Sequence, residues 1–286
     1  MTPVAACATG VANLASGARL LGADGLAAVI CGGAESSLHP AVAASMRSMG
    51  IIDAQPMRPF DTRRGGFNLG EGGGLLVLEP AAAVLDSSER HLLAWLTGAR
   101  LFSDAHHMTD LHSRRQTLTR LMRDLFRHRS QLLVSHAIEK LYVNAHATAT
   151  RLNDVWETAQ IIDAFGPGGW AREEGWIAPD ALVVVSGTKS MTGHLLGASA
   201  TLEAVICVAV LNGAPPPPTL NLIEPHDPWP QVLRQFDRLQ LLSDPAADWR
   251  VPVRSQDAGQ PFDAALSLNY GFGGHVGGVL FERADA

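Results

Sequence analysis

Short apolar runs closed by glycine alternate along this chain with stretches whose apolar residues recur at helical spacing. Thr9 to Leu21 carries small and apolar residues in the helical pattern. Leu26 to Cys31 (LAAVIC) reads as a buried strand stopped by Gly32-Gly33. Pro40 to Met49 predicts a helix, Gly73 to Leu78 (GGLLVL) a strand, Ala81 to Leu85 a short helix and Leu92 to Phe102 a strand. Leu111 to Leu133 predicts an amphipathic helix. Its apolar stripe is Leu118, Leu121, Met122 and Leu125, and its polar face carries Arg114, Arg115, Arg120, Arg123, Arg127 and Arg129. Leu141 to Asn144 is a strand, and Asn153 or Asp154 caps a helix that runs to about Phe165. Leu182 to Ser186 (LVVVS) is a strand and Leu195 to Asn212 an apolar, buried helix. Leu266 to Tyr270 and Val276 to Phe281 are strands flanking a glycine loop. The stretches Gly166 to Pro179 and Pro215 to Pro261 are loop-rich, with Pro215 to Pro218 an extended connector. Strands alternating with helices predict an α/β protein with mostly parallel sheets.

Composition narrows this picture. The chain has 286 residues, 47% hydrophobic and 17% charged, enough to bury the core of one large domain or two fused halves. A formal net charge of −6 argues against general attraction to nucleic acid. No apolar run reaches bilayer length, so no membrane span is expected, and the N-terminus lacks the basic start and apolar core of a signal peptide. Cys7, Cys31 and Cys207 are too few and too scattered for a disulfide framework or a zinc site, so a reducing cytoplasm is the expected compartment.

Three residues then share one setting. His146, in VNAHATATRLND, and His194, in SGTKSMTGH, each follow an apolar strand and precede a helix among small residues and threonines. Cys7, in MTPVAACATG, has the same context, and a thiol facing a helix N-terminus is placed where a thiolate is stabilised. Strand ends converge on one crevice in α/β folds, so the three are expected to meet. A thiol and two imidazoles with no metal pattern suggest thioester chemistry: acyl capture, then stabilisation of a carbanion or enolate by neutral donors. Lys189 lies in an apolar neighbourhood and, if buried, needs an ionic partner, for which Glu157 is the candidate. The loop NYGFGGH, Asn269 to His275, can bring a backbone N–H close to a substrate oxygen.

Together ACATG, GGAES, RPFDTRRGGFNLGEGGGLLVLE, SDAHHMT, VNAHATATRLND, GTKSMTGHLLGASA, PPPTLNL and NYGFGGH resemble, in order, the β-ketoacyl-acyl-carrier-protein synthases of the thiolase-fold superfamily. The resemblance implies a layered αβαβα fold of two related halves, here residues 1–90 and 91–286, the first half truncated. It implies that roughly the first third of the usual chain lies outside this sequence; either Met1 is a misplaced start or a fragment boundary, the favoured reading, or the chain is a shortened relative that needs a partner. A chain so shortened, standing alone, is expected to expose sheet edges and to be unstable or aggregate.

By the same resemblance Cys7 is the acyl-accepting nucleophile, and His146 and His194 promote malonyl decarboxylation. Lys189 and Glu157 are the buried pair behind them. Thr148 and Thr150 bind the pantetheine arm, and Phe272 with Gly273 forms the gating loop. The backbone N–H of Phe272 completes an oxyanion hole with that of Cys7, and Met46 lines the acyl pocket. Acyl carrier protein is the implied partner, with a homodimer or a heterodimer with a ketosynthase-like subunit, and no metal or redox cofactor is required. Arg63, Arg64 and the Arg114–Arg129 helix are candidate landing sites for the acidic carrier. The sequence departs from the family at Ala147 (usually glycine), Arg151 (usually proline) and His275-Val276 (usually Thr-Asn). Two other readings remain. One is a catalytically silent subunit that shapes the pocket of an active homologue, which Cys7 argues against. The other is a coenzyme-A-using thiolase or chalcone-synthase-like enzyme, which GTKSMTGH and NAHATAT argue against.

Overall fold

A computed structural model describes residues 1–85, 91–109, 116–132, 136–243 and 261–284. The chain opens with helix α1 (Thr9–Asp24), strand β1 (Val29–Ser36), helix α2 (Pro40–Ser48), strand β2 (Glu71–Leu78), helix α3 (Ala81–Leu85) and strand β3 (Ala94–Ser103). It continues through α4 (Thr117–Leu132), β4 (Ile138–Asn144), α5 (Arg151–Phe165), α6 (Trp170–Glu173), β5 (Ile177–Ser186) and α7 (Lys189–Thr192). A 3-10 turn (Leu196–Ala198) leads into α8 (Ser199–Leu211), followed by α9 (Trp229–Gln235), β6 (Leu239–Leu241), β7 (Ala264–Gly271) and β8 (His275–Arg283).

Six strands make the main sheet in the order β3-β8-β7-β4-β5-β6. Strands β7, β4, β5 and β6 run parallel, while β8 is antiparallel to both β7 and β3. The sheet is therefore mostly parallel, as expected, with β8 alone reversed because a tight glycine turn, and no crossover helix, joins it to β7. Alternate residues of its central strands enter two different cores. Leu141, Val143, Val183 and Val185 pack with Leu118, Phe126, Ile161 and Phe165 of α4 and α5. Tyr142, Leu182 and Val184 pack with Val11 and Leu14 of α1 and Ala204 and Cys207 of α8. Burial on both faces is the reason these strands read as unbroken apolar runs.

β1 and β2 form a separate antiparallel ribbon of two strands. Helices α1 and α8 fill the space between it and the main sheet, giving the layer order ribbon, helices, sheet, helices. The join is tight: a methyl group on Gly10 of α1 would lie 2.5 Å from the Thr201 nitrogen of α8, and one on Gly74 of β2 would lie 2.9 Å from the Thr201 carbonyl oxygen. Glycine at both positions lets backbone approach backbone.

Several expected boundaries move. Gly32-Gly33 does not end β1, which continues to Ser36 with Gly32 paired to Leu75 and Gly33 to Gly74. Residues 1–4 form no strand before Cys7. Thr150 takes the N-cap position of α5, so Asn153 and Asp154 sit inside its first turn, where Asp154 Oδ2 accepts the Phe60 N–H at 2.8 Å. Arg151 is then the first helical residue, a position where proline is equally at home. β5 starts at Ile177, and α9 and β6 occupy a stretch expected to be loop. Leu111, Arg114, Arg115 and Leu133 of the predicted arginine-rich helix lie outside the described residues.

Candidate active site

Cys7 stands just before α1, in a turn with Ala6 at φ 47°. Thr9 pins that turn: its Oγ1 accepts the Ala5 N–H at 2.9 Å and donates to the Ala6 carbonyl at 2.7 Å. The end of β7 presses on it from the other side, for a methyl group on Gly271 would lie 2.5 Å from the Ala5 oxygen and 3.0 Å from the Cys7 nitrogen.

His146 leaves the end of β4, followed by Ala147 at φ 45° and Ala149 at φ 59°. Glu157 of α5 reaches back to this turn, Oε1 accepting the His146 N–H at 2.7 Å and Oε2 the Ala147 N–H at 2.8 Å. His194 is strapped to the segment ahead of β2: its N–H donates to the Asn68 carbonyl at 2.7 Å, and its own carbonyl accepts the Gly70 N–H at 3.1 Å. Its Nδ1 lies 2.8 Å from Ser199 Oγ, and Phe67 meets the ring edge-on at 4.8 Å. The two imidazoles face each other edge to face, ring centres 5.6 Å apart at 87°.

The expected meeting takes place. Cys7, His146 and His194 line one cavity of about 710 Å³ together with Met46, Thr148, Thr150 and Phe272. Met46 packs among Met57, Phe67 and Ala149. The hydroxyls of Thr148 and Thr150 are 3.2 Å apart. Gly273, at φ 89°, is not among the lining residues, and its N–H donates to the Met108 carbonyl at 2.7 Å. Each of the three candidate reactive residues adjoins or nearly adjoins a non-glycine residue held at positive φ: Ala6, Ala147 and, two residues after His194, Leu196 at φ 42°. Such conformations cost on the order of 1–3 kcal/mol each and persist where surrounding contacts enforce them. The positive φ at Ala147 also explains why glycine suits that position.

Electrostatics correct two expectations. Lys189 is paired not with Glu157 but with Glu203 of α8, Nζ to Oε1 at 2.5 Å, with both side chains buried. Glu157 instead holds backbone N–H groups and the Tyr270 hydroxyl, 3.1 Å from Oε1. The visible signal for Glu203 was its place as the sole charged residue in the apolar run SATLEAVICVAVL, since a buried charge requires a partner. Cys7 is no ready thiolate: burial pushes its thiol up to about 11, although the Lys189 cation and its own backbone N–H pull the other way. Burial, reinforced by Lys189, holds both His146 and His194 well below the usual imidazole range; at His146 the His194 ring adds to the lowering. Both rings are therefore neutral at pH 7 and offer N–H donors. Burial raises Glu157 to about 7 against the backbone N–H groups of Ala147 and His146.

The arginines expected to receive a partner are largely committed. Arg64 is buried and donates to the carbonyls of Asp61 and Arg151. Arg129 forms a buried ion pair with Glu282 at 2.9 Å, and Arg123 pairs with Glu174 at 2.9 Å. Arg63 is half-exposed but held by Asp61 at 2.8 Å. Arg120 and Arg127 remain on the exposed face of α4.

Comparison with known proteins places the chain in a family. Residues 1–83 match the N-terminal domain of the β-ketoacyl synthases and residues 93–223 their C-terminal domain. The chain belongs to the β-ketoacyl synthase family, with a thiolase-like fold. It is 33% identical to 3-oxoacyl-[acyl-carrier-protein] synthase 2 of Synechocystis sp., over 98% of this chain and 60% of that protein. It is 30% identical to the mitochondrial 3-oxoacyl-[acyl-carrier-protein] synthase of Arabidopsis thaliana, over 97% of this chain and 55% of the relative. Among solved structures, the ishigamide ketosynthase/chain length factor aligns with a TM-score of 0.74 at 26% identity, covering 99% of this chain and 60% of that one. A type II polyketide ketosynthase, solved with its acyl-carrier protein, shares the fold at TM-score 0.76 and 23% identity, over 98% of this chain and 62% of that one. The chain thus spans about 60% of the length of these relatives. No helix among the described residues is long and apolar enough to cross a membrane.

Proposed function

We propose that this chain carries the chemistry of a decarboxylative Claisen condensation. The observation that supports it most is the shared cavity: one thiol and two imidazoles kept neutral by burial, with a buried lysine reinforcing it. Cys7 attacks the thioester of an acyl-carrier protein. Its thiol proton passes to the departing carrier thiolate, and the acyl group stays on sulfur. Because the thiol is not ionised beforehand, that proton leaves during the attack. A malonyl-carrier protein then occupies the cavity, its arm beside Thr148 and Thr150. The bond to the carboxylate breaks, carbon dioxide departs, and the electron pair forms an enolate whose oxygen receives N–H donors from His146 and His194. The enolate carbon attacks the Cys7 thioester carbonyl, with the backbone N–H groups of Cys7 and Phe272 as the oxyanion hole. Sulfur leaves and is reprotonated, and the product is a 3-oxoacyl-carrier protein two carbons longer.

The partners in this reading are a carrier protein and a second ketosynthase-like subunit. In this reading residues 1–90 belong to one of two related halves, the one that carries the nucleophile, and 91–286 form the other, with both histidines. In support, α1 and α8 each precede an antiparallel pair of strands, β1–β2 and β7–β8, with other elements between them.

Mass spectrometry after incubation with acyl-carrier protein tests the reading. The acyl mass is expected on Cys7 and is lost in Cys7→Ala. His146→Ala and His194→Ala load normally but lose condensation with malonyl-carrier protein by about 10²–10⁴-fold. A folded wild-type chain that never loads would sink it and favour a silent subunit.

A further inference from the structure

Tyr270 touches His146 twice. Its ring meets the imidazole edge-on at 4.9 Å and 67°, and its hydroxyl donates to Glu157 Oε1, the same oxygen that accepts the His146 N–H. The other Glu157 oxygen holds the Ala147 N–H, at the residue forced to φ 45°. On its far side Tyr270 is braced by Trp156 of α5, edge-on at 5.1 Å and 87°. The opposite flank of the turn is closed by Gly187, where a methyl group would lie 2.6 Å from the Ala147 Cβ. The ring of His146 and the backbone that carries it are thus fixed by one side chain, half of it through a carboxylate.

We propose that Tyr270 is a positioning residue: its hydroxyl orients Glu157, and Glu157 in turn holds the strained His146-Ala147 turn that aims the imidazole into the cavity. The proposal rests on the reaction assigned above for its catalytic consequence, but not for the clamp itself. Phenylalanine at this position fills the same space and keeps the ring contact, so the hydroxyl has a separable role. A Glu157 with one donor fewer is free to turn away from the two backbone N–H groups. Glycine at 147 accepts positive φ without restraint, so the turn then needs the clamp less.

The test compares Tyr270→Phe, Ala147→Gly and the double variant. Two readouts are followed: amide hydrogen exchange of peptides spanning 145–150, and kcat and KM for malonyl-carrier-protein decarboxylation. Tyr270→Phe is expected to speed exchange in this segment about tenfold while distant strands keep their protection. It is expected to lower kcat about tenfold with KM nearly unchanged, because a ring displaced by a fraction of an ångström loses alignment rather than binding. Ala147→Gly alone changes little, and in the Tyr270→Phe background it restores most of both. Unchanged exchange in Tyr270→Phe, or losses that Ala147→Gly does not repair, would overturn the clamp. If the wild type fails to decarboxylate but exchange responds and is repaired, the clamp stands and the assigned reaction falls.

Discussion

Leu75 and Val77 of β2 stand 70% and 64% exposed, and Ile30 of β1 is 71% exposed. In β8, antiparallel to β7 as β2 is to β1, Val279, Leu280 and Phe281 are buried. The two antiparallel pairs share a pairing sense and differ in what covers them. The main sheet has helices on both faces; among the described residues the ribbon has α1 and α8 on one face. His146 follows the end of β4, a strand sunk in a double-sided core, and His194 is tied by its backbone to the segment ahead of β2. The thiol is instead located by contacts beyond its own ribbon, from Thr9, from Gly271 at the end of β7 and from the α8 layer. Precision at Cys7 is therefore borrowed from the better-packed half, while the ribbon leaves Ile30, Leu75 and Val77 exposed.

The most severe way to break this comparison is at the junction itself. Lys189→Met leaves Glu203 buried without its cation and is expected to cost about 3–5 kcal/mol in urea unfolding, loosening both regions at once. A matched pair of truncations sharpens the contrast. Leu280→Ala on β8 is expected to cost about 2–5 kcal/mol. Leu75→Ala on β2 should stay within about 0.5 kcal/mol, and light scattering should show less self-association. A large loss at Leu75 would mean that the ribbon face is covered in solution. A pH slope gives a separate check. Burial raises Glu157 to about 7 and Asp154 to about 6, so the folded chain holds protons that the unfolded chain has released. Their contribution to stability declines as pH rises from about 4 to about 7 and is flat above that. Glu157→Gln should remove its share of the slope, measured as urea midpoint against pH, and an unchanged slope would contradict the burial of that carboxylate.

Legibility in the sequence follows the same division. The strands β4, β5, β7 and β8 were readable because burial on both faces writes long apolar runs. β6 has three residues and leaves no period to detect, and β1 runs through two glycines that look like a stop. The cavity residues Cys7, His146 and His194 announced themselves by a repeated local context. Their support did not: Lys189 meets Glu203 of α8, whereas Glu157, the expected partner, serves backbone groups. Cys7 sits before a helix as expected, yet desolvation outweighs that favourable end. Tyr270 hides its hydroxyl's destination in a strand that otherwise reads as core.

At Thr201, α1 and β2 both reach the backbone of α8 through glycine. No side chain there is available to yield, so one added carbon at Gly10 or Gly74 has to be absorbed by sliding whole elements. Because α1 begins two residues after the sulfur, such a shift would travel to the reactive thiol with little attenuation. Drift at this spot during evolution would thus be read out as lost chemistry before it was read out as lost folding.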